Sequence, residues 1–91
     1  MANSIKLAFL WHMHQPCYRD PESSQIALPW VRLHASRAYF DMAWLLERYP
    51  DVGGTFNLVP ILTEQINAYI EGERDQYWHL SRKPARLLNR A

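Results

Sequence analysis

The spacing of apolar positions changes period along the chain, and the changes mark its elements. Ser4 to Leu10 is a nearly continuous apolar run, the pattern of a strand covered on both faces. Cys17 to Pro29 is polar and carries Asp20-Pro21 and Ser23-Ser24, so it reads as a loop, long enough to have a function of its own. Ala38, Met42, Leu45, Leu46 and Tyr49 then recur at helical spacing, which predicts a helix over Arg37–Tyr49 with Ser36 as its cap and Pro50 as its stop. Trp44 lies off that stripe and predicts cover on a second side of the helix. Asp51 to Gly54 is a turn, and Thr55 to Val59 a second strand. Pro60 fits the first turn of another helix, with Leu62, Ile66, Tyr69 and Ile70 as its buried stripe and Gly72 as its C-terminal stop. Asp75 to Leu80 is a shorter helical segment, and Pro84 opens a further one that runs towards Ala91.

Strand, helix, strand in this order is a βαβ unit, which requires parallel strands and a right-handed crossover. The class is therefore α/β. Two parallel strands do not make a stable sheet alone. Composition sharpens this point. In 91 residues the chain holds four Trp, five Tyr and three Phe, and large rings need much partner surface to be hidden. A chain of this length buries only about 60–65% of its unfolded surface. Residues 1–91 are thus expected to be part of a larger domain, or to pair with another surface, and self-association of the piece is one consequence.

The net charge of +1 provides no field for nucleic acid. Arg82, Lys83, Arg86 and Arg90 read as a solvated helix face. Cys17 is the single cysteine, so no internal disulfide forms and a reducing compartment fits. The run before His12 is too short for a signal peptide, and no stretch approaches a membrane span. The expected setting is cytoplasmic, with no membrane partner.

The chemistry concentrates in Trp11-His12-Met13-His14-Gln15-Pro16. Folds of this class keep their ligands at the carboxyl ends of strands. His12 and His14 are two apart, so on a continuing strand they share a side. Pro16 cannot donate to a ladder and ends the strand. The result is a short, rigid, polar tip.

These residues resemble the start of glycoside hydrolase family 57, the α-amylase, glucanotransferase and branching-enzyme family. The resemblance is carried by His12-Met13-His14-Gln15-Pro16, by Leu28-Pro29-Trp30-Val31-Arg32-Leu33-His34-Ala35, by Tyr39 with Asp41-Met42, and by Thr55-Phe56-Asn57-Leu58-Val59-Pro60. The spacing of Leu62, Gln65 and Tyr69, and Lys83-Pro84-Ala85, also fit. Any one block is weak, but the four in order are specific, and they cover the chain from Lys6 onward.

The resemblance implies an incomplete (β/α) barrel of which this chain is the first βαβα portion. It implies a retaining mechanism on α-glucans without a cofactor, with the Glu nucleophile and Asp acid/base in later motifs that are missing here. His12, His14 and Gln15 would line the floor of a glucose subsite. Trp30, Arg32 and His34 would overhang it from the loop, and Asn57 would approach from the second strand. Each has a plainer role open to it: a core anchor for Trp30, a carboxylate partner for Arg32, a cap for His34, helix-entry bonding for Asn57. Trp11 and Trp78 read as packing.

Retaining glycosidases place two carboxyl groups about 5–5.5 Å apart. Most of the carboxylates here fall on predicted helix faces or turns, and none is assigned a catalytic role. Two other classes match part of the pattern. A metal-dependent hydrolase would use His12-x-His14 on an ion, with His34 or Cys17 as third ligand, although the Gln-Pro that follows favours the glycosidase; no metal ligand is assigned. A non-catalytic interaction fragment would use the aromatic excess for docking.

Overall fold

The computed structural model describes residues 3–88. Two short strands, β1 (Leu10–Met13) and β2 (Thr55–Leu58), pair in parallel, with Leu10 opposite Thr55 and His12 opposite Asn57. Between them runs a helical stretch made of α1 (Trp30–His34), a π-helical turn (Ala35–Tyr39) and α2 (Phe40–Arg48). After β2 come α3 (Pro60–Ile70), α4 (Gln76–Ser81) and a 3₁₀ turn (Ala85–Leu87). This is the expected βαβ order in a small α/β unit.

The first strand lies further along than the apolar run suggests. Pairing starts where β2 offers a partner: Thr55 N–H donates to the Phe9 carbonyl at 3.0 Å, and the ladder then continues through Met13. The apolar residues before it have no cover, with Ile5 94% and Leu7 78% exposed. Cover on both faces, as the run predicts, is thus absent. Met13 packs with Val31 and Leu62 under the helices, whereas His12, Leu10 and Thr55 on the alternate positions are exposed.

The helical stretch begins at Trp30 rather than Arg37, and Trp30, Arg32 and His34 sit on α1 rather than in the loop. Pro29 precedes the first turn, a position where a missing N–H costs nothing. Ser36 is not a cap. Its hydroxyl donates back to the carbonyls of Arg32 and Leu33, as serines inside helices do. Trp44 gains no second cover; it is exposed, with the Arg48 guanidinium 4.0 Å over its ring.

The boundaries of α3 and α4 agree with the sequence, but Pro84 opens only the 3₁₀ turn Ala85–Leu87, with Leu88 extended rather than helical, and the rest of the helix expected there lies outside the described residues. Pro60 opens α3. Its end is closed by Gly72 at φ 106°, with the Gly72 amide donating to Tyr69 and the Glu73 amide to Ala68, the pattern of a glycine stop. Asp75 caps α4 by accepting from the Trp78 amide at 2.8 Å.

The loop before Trp30 is tightly held. The Gln65 side chain, buried on α3, accepts from the Tyr18 amide and donates to the Pro16 carbonyl, both at 2.9 Å. Arg19 forms an isolated antiparallel bridge with Ile26, and its guanidinium grips Glu73 with two hydrogen bonds. Ile26 is buried, and its carbonyl accepts from the Gln76 amide.

The whole is elongated, 72 × 26 × 26 Å with a radius of gyration of 18.7 Å. A compact chain of this length has about 12 Å. Its surface of 7809 Å² likewise exceeds the roughly 5,500 Å² of a compact monomer of this mass. Among the described residues no helix is long and apolar enough to cross a membrane.

Candidate functional site

The imidazoles gather on the face of the sheet that the helices leave open. His12 stands in register with Asn57, so both project from that face, and both are exposed. His14, just past the strand, turns its ring parallel to that of His12, with centroids 5.9 Å apart and planes inclined by 12°. These side chains are open to solvent and can donate and accept in any direction a polyol would require.

Beneath the tip is a polar network that fixes its backbone. The Tyr39 hydroxyl donates to the His14 carbonyl at 3.3 Å and accepts from Gln15 Nε2 at 3.0 Å. The Tyr18 hydroxyl donates to Gln15 Oε1 at 2.7 Å. Burial, and then the neighbouring Tyr39, push the Tyr18 phenol above its ordinary pKa, so it remains a donor at neutral pH. Gln15 therefore has both ends of its amide engaged by tyrosines. Sequence reasoning did not single out Tyr18 or Tyr39 for this site. No local pattern shows that two phenols distant in the chain converge on one amide.

His34 joins the cluster through Tyr39: their rings stack with centroids 6.0 Å apart. Trp30, one helical turn earlier on α1, lies on the same side of the helix as His34 and is 45% exposed. The structure thus brings His12, His14, Gln15, His34 and Asn57 to one end of the sheet.

Arg32 is engaged elsewhere. Its Nε donates to Asp75 Oδ2 at 2.7 Å and its Nη2 to Oδ1 at 3.2 Å. Asp75 is fully buried and also accepts from the Tyr69 hydroxyl at 3.0 Å. Burial alone would push this carboxyl up. Arg32, the Trp78 amide and Tyr69 together outweigh it and hold the carboxyl below the usual range. Tyr69 is pushed well above an ordinary phenol, first by burial and then by its bond to Asp75. Arg32 also lines a shallow groove of about 320 Å³ between the π turn and α3, with Val31, Ala35, Ile66 and Ile70; none of His12, His14, Gln15 or Asn57 borders it.

Several carboxylates have local partners. Asp20 accepts from the amides of Glu22 and Ser23 and from the Ser23 hydroxyl. Glu73 holds Arg19, and Asp75 holds Arg32. Among the described residues no three His, Cys, Asp or Glu side chains converge as a metal site would need. Cys17 is free and exposed. Trp11 is partly exposed rather than core, and the Trp78 ring has the guanidinium groups of Arg74 and Arg82 over it at 5.5 and 5.1 Å.

The imidazoles and the amide thus lie towards the carboxyl ends of two parallel strands, the end at which open α/β sheets bind ligands. A family model described as Glycosyl hydrolase family 57 matches residues 8–88, and the chain belongs to that family. No curated protein and no solved structure matches it.

Proposed function

We propose that this chain forms the first βαβα portion of an incomplete (β/α) barrel in a retaining, α-glucan-active enzyme, and that it supplies part of the sugar site without the catalytic pair. In this reading His12, His14 and Asn57 hydrogen-bond the hydroxyls of one glucose unit. Trp30 offers a ring for stacking on the apolar face of a pyranose, and His34 borders the same subsite. Gln15 shapes the floor, since both ends of its amide are already engaged by Tyr18 and Tyr39. Arg32 acts from below by anchoring α1 to Asp75. The Glu nucleophile and Asp acid/base come from another segment, and no cofactor takes part. The free Cys17 suits a reducing, cytoplasmic setting.

The observation that carries the reading is the uncovered sheet face with His12 and Asn57 in register, in a chain of a glycosyl hydrolase family. Titration with maltopentaose, followed by histidine ring signals in NMR, tests it. The expected result is saturable binding near the millimolar range, about 4 kcal/mol. It should weaken at least fivefold in His12→Ala and in Asn57→Ala, with no release of reducing sugar. Turnover abolished by substituting a single Asp or Glu of this chain would overturn it, as would an absence of any response to the glucan.

A further inference from the structure

We infer that the π-helical turn Ala35–Tyr39 is built to serve the histidine tip, and that Tyr39 is a positioning residue of the site; the glucan-binding part of this inference rests on the function proposed above. In a regular α-helix, residues five apart point about 140° away from one another. His34 and Tyr39 are five apart, yet their rings stack at 6.0 Å. A π turn closes its hydrogen bonds over five residues, so it brings such a pair onto one side. Single π turns inside α-helices frequently mark functional positions.

The stacking is only half of the device. With its ring held on His34, Tyr39 directs its hydroxyl to the backbone of His14 and to Gln15. One side chain thereby ties α1 to the end of β1 and links His34 to the His12–His14 pair. The hydroxyl makes both bonds to groups next to the exposed imidazoles. The Tyr39 ring also packs against the core of Met13, Val31 and Leu62, so it is the hydroxyl, bonded to Gln15 and the His14 carbonyl, that separates positioning of the tip from core packing. The Ser36 hydroxyl, bonded back to Arg32 and Leu33, satisfies carbonyls in the turn region. The turn therefore carries side chains for its own support as well as for the tip.

The test uses the 91-residue chain labelled at histidine Cε1, as wild type, as Tyr39→Phe, which keeps the ring and removes the hydroxyl, and as a deletion of Ser36, which removes the extra residue of the turn. His79 on α4 is the internal reference. In Tyr39→Phe the His14 ring signals should shift, and the cross-peak between the His12 and His14 rings should fall at least twofold, while His79 is unchanged. Maltopentaose affinity should drop about fivefold. The Ser36 deletion should remove the His34–Tyr39 ring contact and reproduce the same shifts.

If the His12 and His14 signals of Tyr39→Phe match wild type, the inference fails, whatever the glucan does. If His79 moves together with them, Tyr39 is a general stabiliser and the inference fails. If the tip signals move alone but wild type ignores maltopentaose, the positioning role stands and the glucan reading falls. If wild type binds and Tyr39→Phe binds within twofold of it, Tyr39 is not a positioning residue for the sugar site. Should the deletion not fold, Tyr39→Phe decides by itself.

Discussion

The half of the molecule around α3 and the half around the sheet are finished to different degrees. On the α3 side lie Ile26, Val31, Leu62, Gln65, Ala68 and Asp75, all buried, and the two buried polar residues among them have partners. On the sheet side Met13 is buried. Ile5, Leu7, Phe9, Leu10, Trp11 and Leu58 are exposed, and both strands have an open edge. The first region holds most of the buried core and pairs its buried polar groups within the chain, although Ile70 of α3, expected in the buried stripe, is exposed, as are Tyr77 and Leu80 of α4. The second holds apolar side chains and ladder groups ready for a neighbour. The candidate site lies on the second region, yet it is held from below by residues that belong to the first.

This difference predicts where substitutions are costly. The largest effect should follow Asp75→Ala. It removes the partner of Arg32, the acceptor for Tyr69 and the cap of α4. Breaking a buried pair costs about 3–5 kcal/mol; with Arg32 still about a third exposed, about 2–4 kcal/mol is expected in urea unfolding. The same group gives a pH signature. Its folded pKa lies below the unfolded value, so its stabilisation is complete above about pH 4 and is lost as pH falls through the folded value. Asp20 and Glu73 are also held low, Asp20 first by the Ser23 hydroxyl and Glu73 first by Arg19. The acid loss of Asp75→Asn relative to wild type therefore isolates Asp75. An acid limb unchanged in Asp75→Asn would show that the closed half does not depend on this carboxylate.

A smaller loss should follow Gln65→Leu. The apolar side chain fits the buried site but leaves the Tyr18 amide and Pro16 carbonyl without their partner. An unsatisfied buried backbone group costs about 1–3 kcal/mol, and because Tyr18 is half-buried and Pro16 exposed the loss should fall at the low end, about 1 kcal/mol. Hydrogen exchange at the Tyr18 amide should accelerate at least tenfold, with the Ala27 amide, which donates to the Tyr18 carbonyl, following as the loop loosens. Slow exchange at Tyr18 in this variant would mean that Arg19–Glu73 and Ile26 hold the loop without Gln65.

Much of this was legible in the sequence because it depends on local chemistry. Pro60, Gly72 and Asp75 mark the ends of α3 and the start of α4 by what their backbones and side chains can do, and the structure uses them that way. The second strand and the parallel pairing also followed. The first strand was displaced because its limits depend on which residues of β2 reach it, not on its own hydrophobicity. Ser36 resembles a cap and so predicts a helix only from Arg37, whereas its hydroxyl bonds backward and the helical stretch starts at Trp30. The imidazole tip was visible as a motif. The tyrosines beneath it were not, because a π turn follows no template of three or four residues.

The smallest effect on folding should come from the open half. Leu7 and Leu10 are exposed and add little to the packing of this chain, so Leu7→Lys with Leu10→Lys should change unfolding stability by less than about 0.5 kcal/mol. Their effect should instead appear in association. The wild-type chain presents an apolar strand with free ladder groups, and such edges template pairing with another strand. Wild type is therefore expected to sediment above its monomer mass of 10.8 kDa, with the charged pair returning it to that mass; lysines on an edge are a common way of blocking such pairing. Both numbers are needed. A monomeric wild type with a sharp unfolding transition would mean that the sheet side is closed in solution, and the contrast between the halves would vanish. A large stability loss in the double lysine variant would mean that Leu7 and Leu10 are packed, and that the closed region reaches further along the chain than Met13. Unchanged stability with loss of association would confine the unfinished surface to the strand that carries His12, and would place the sugar site beside the edge where another strand is expected to dock.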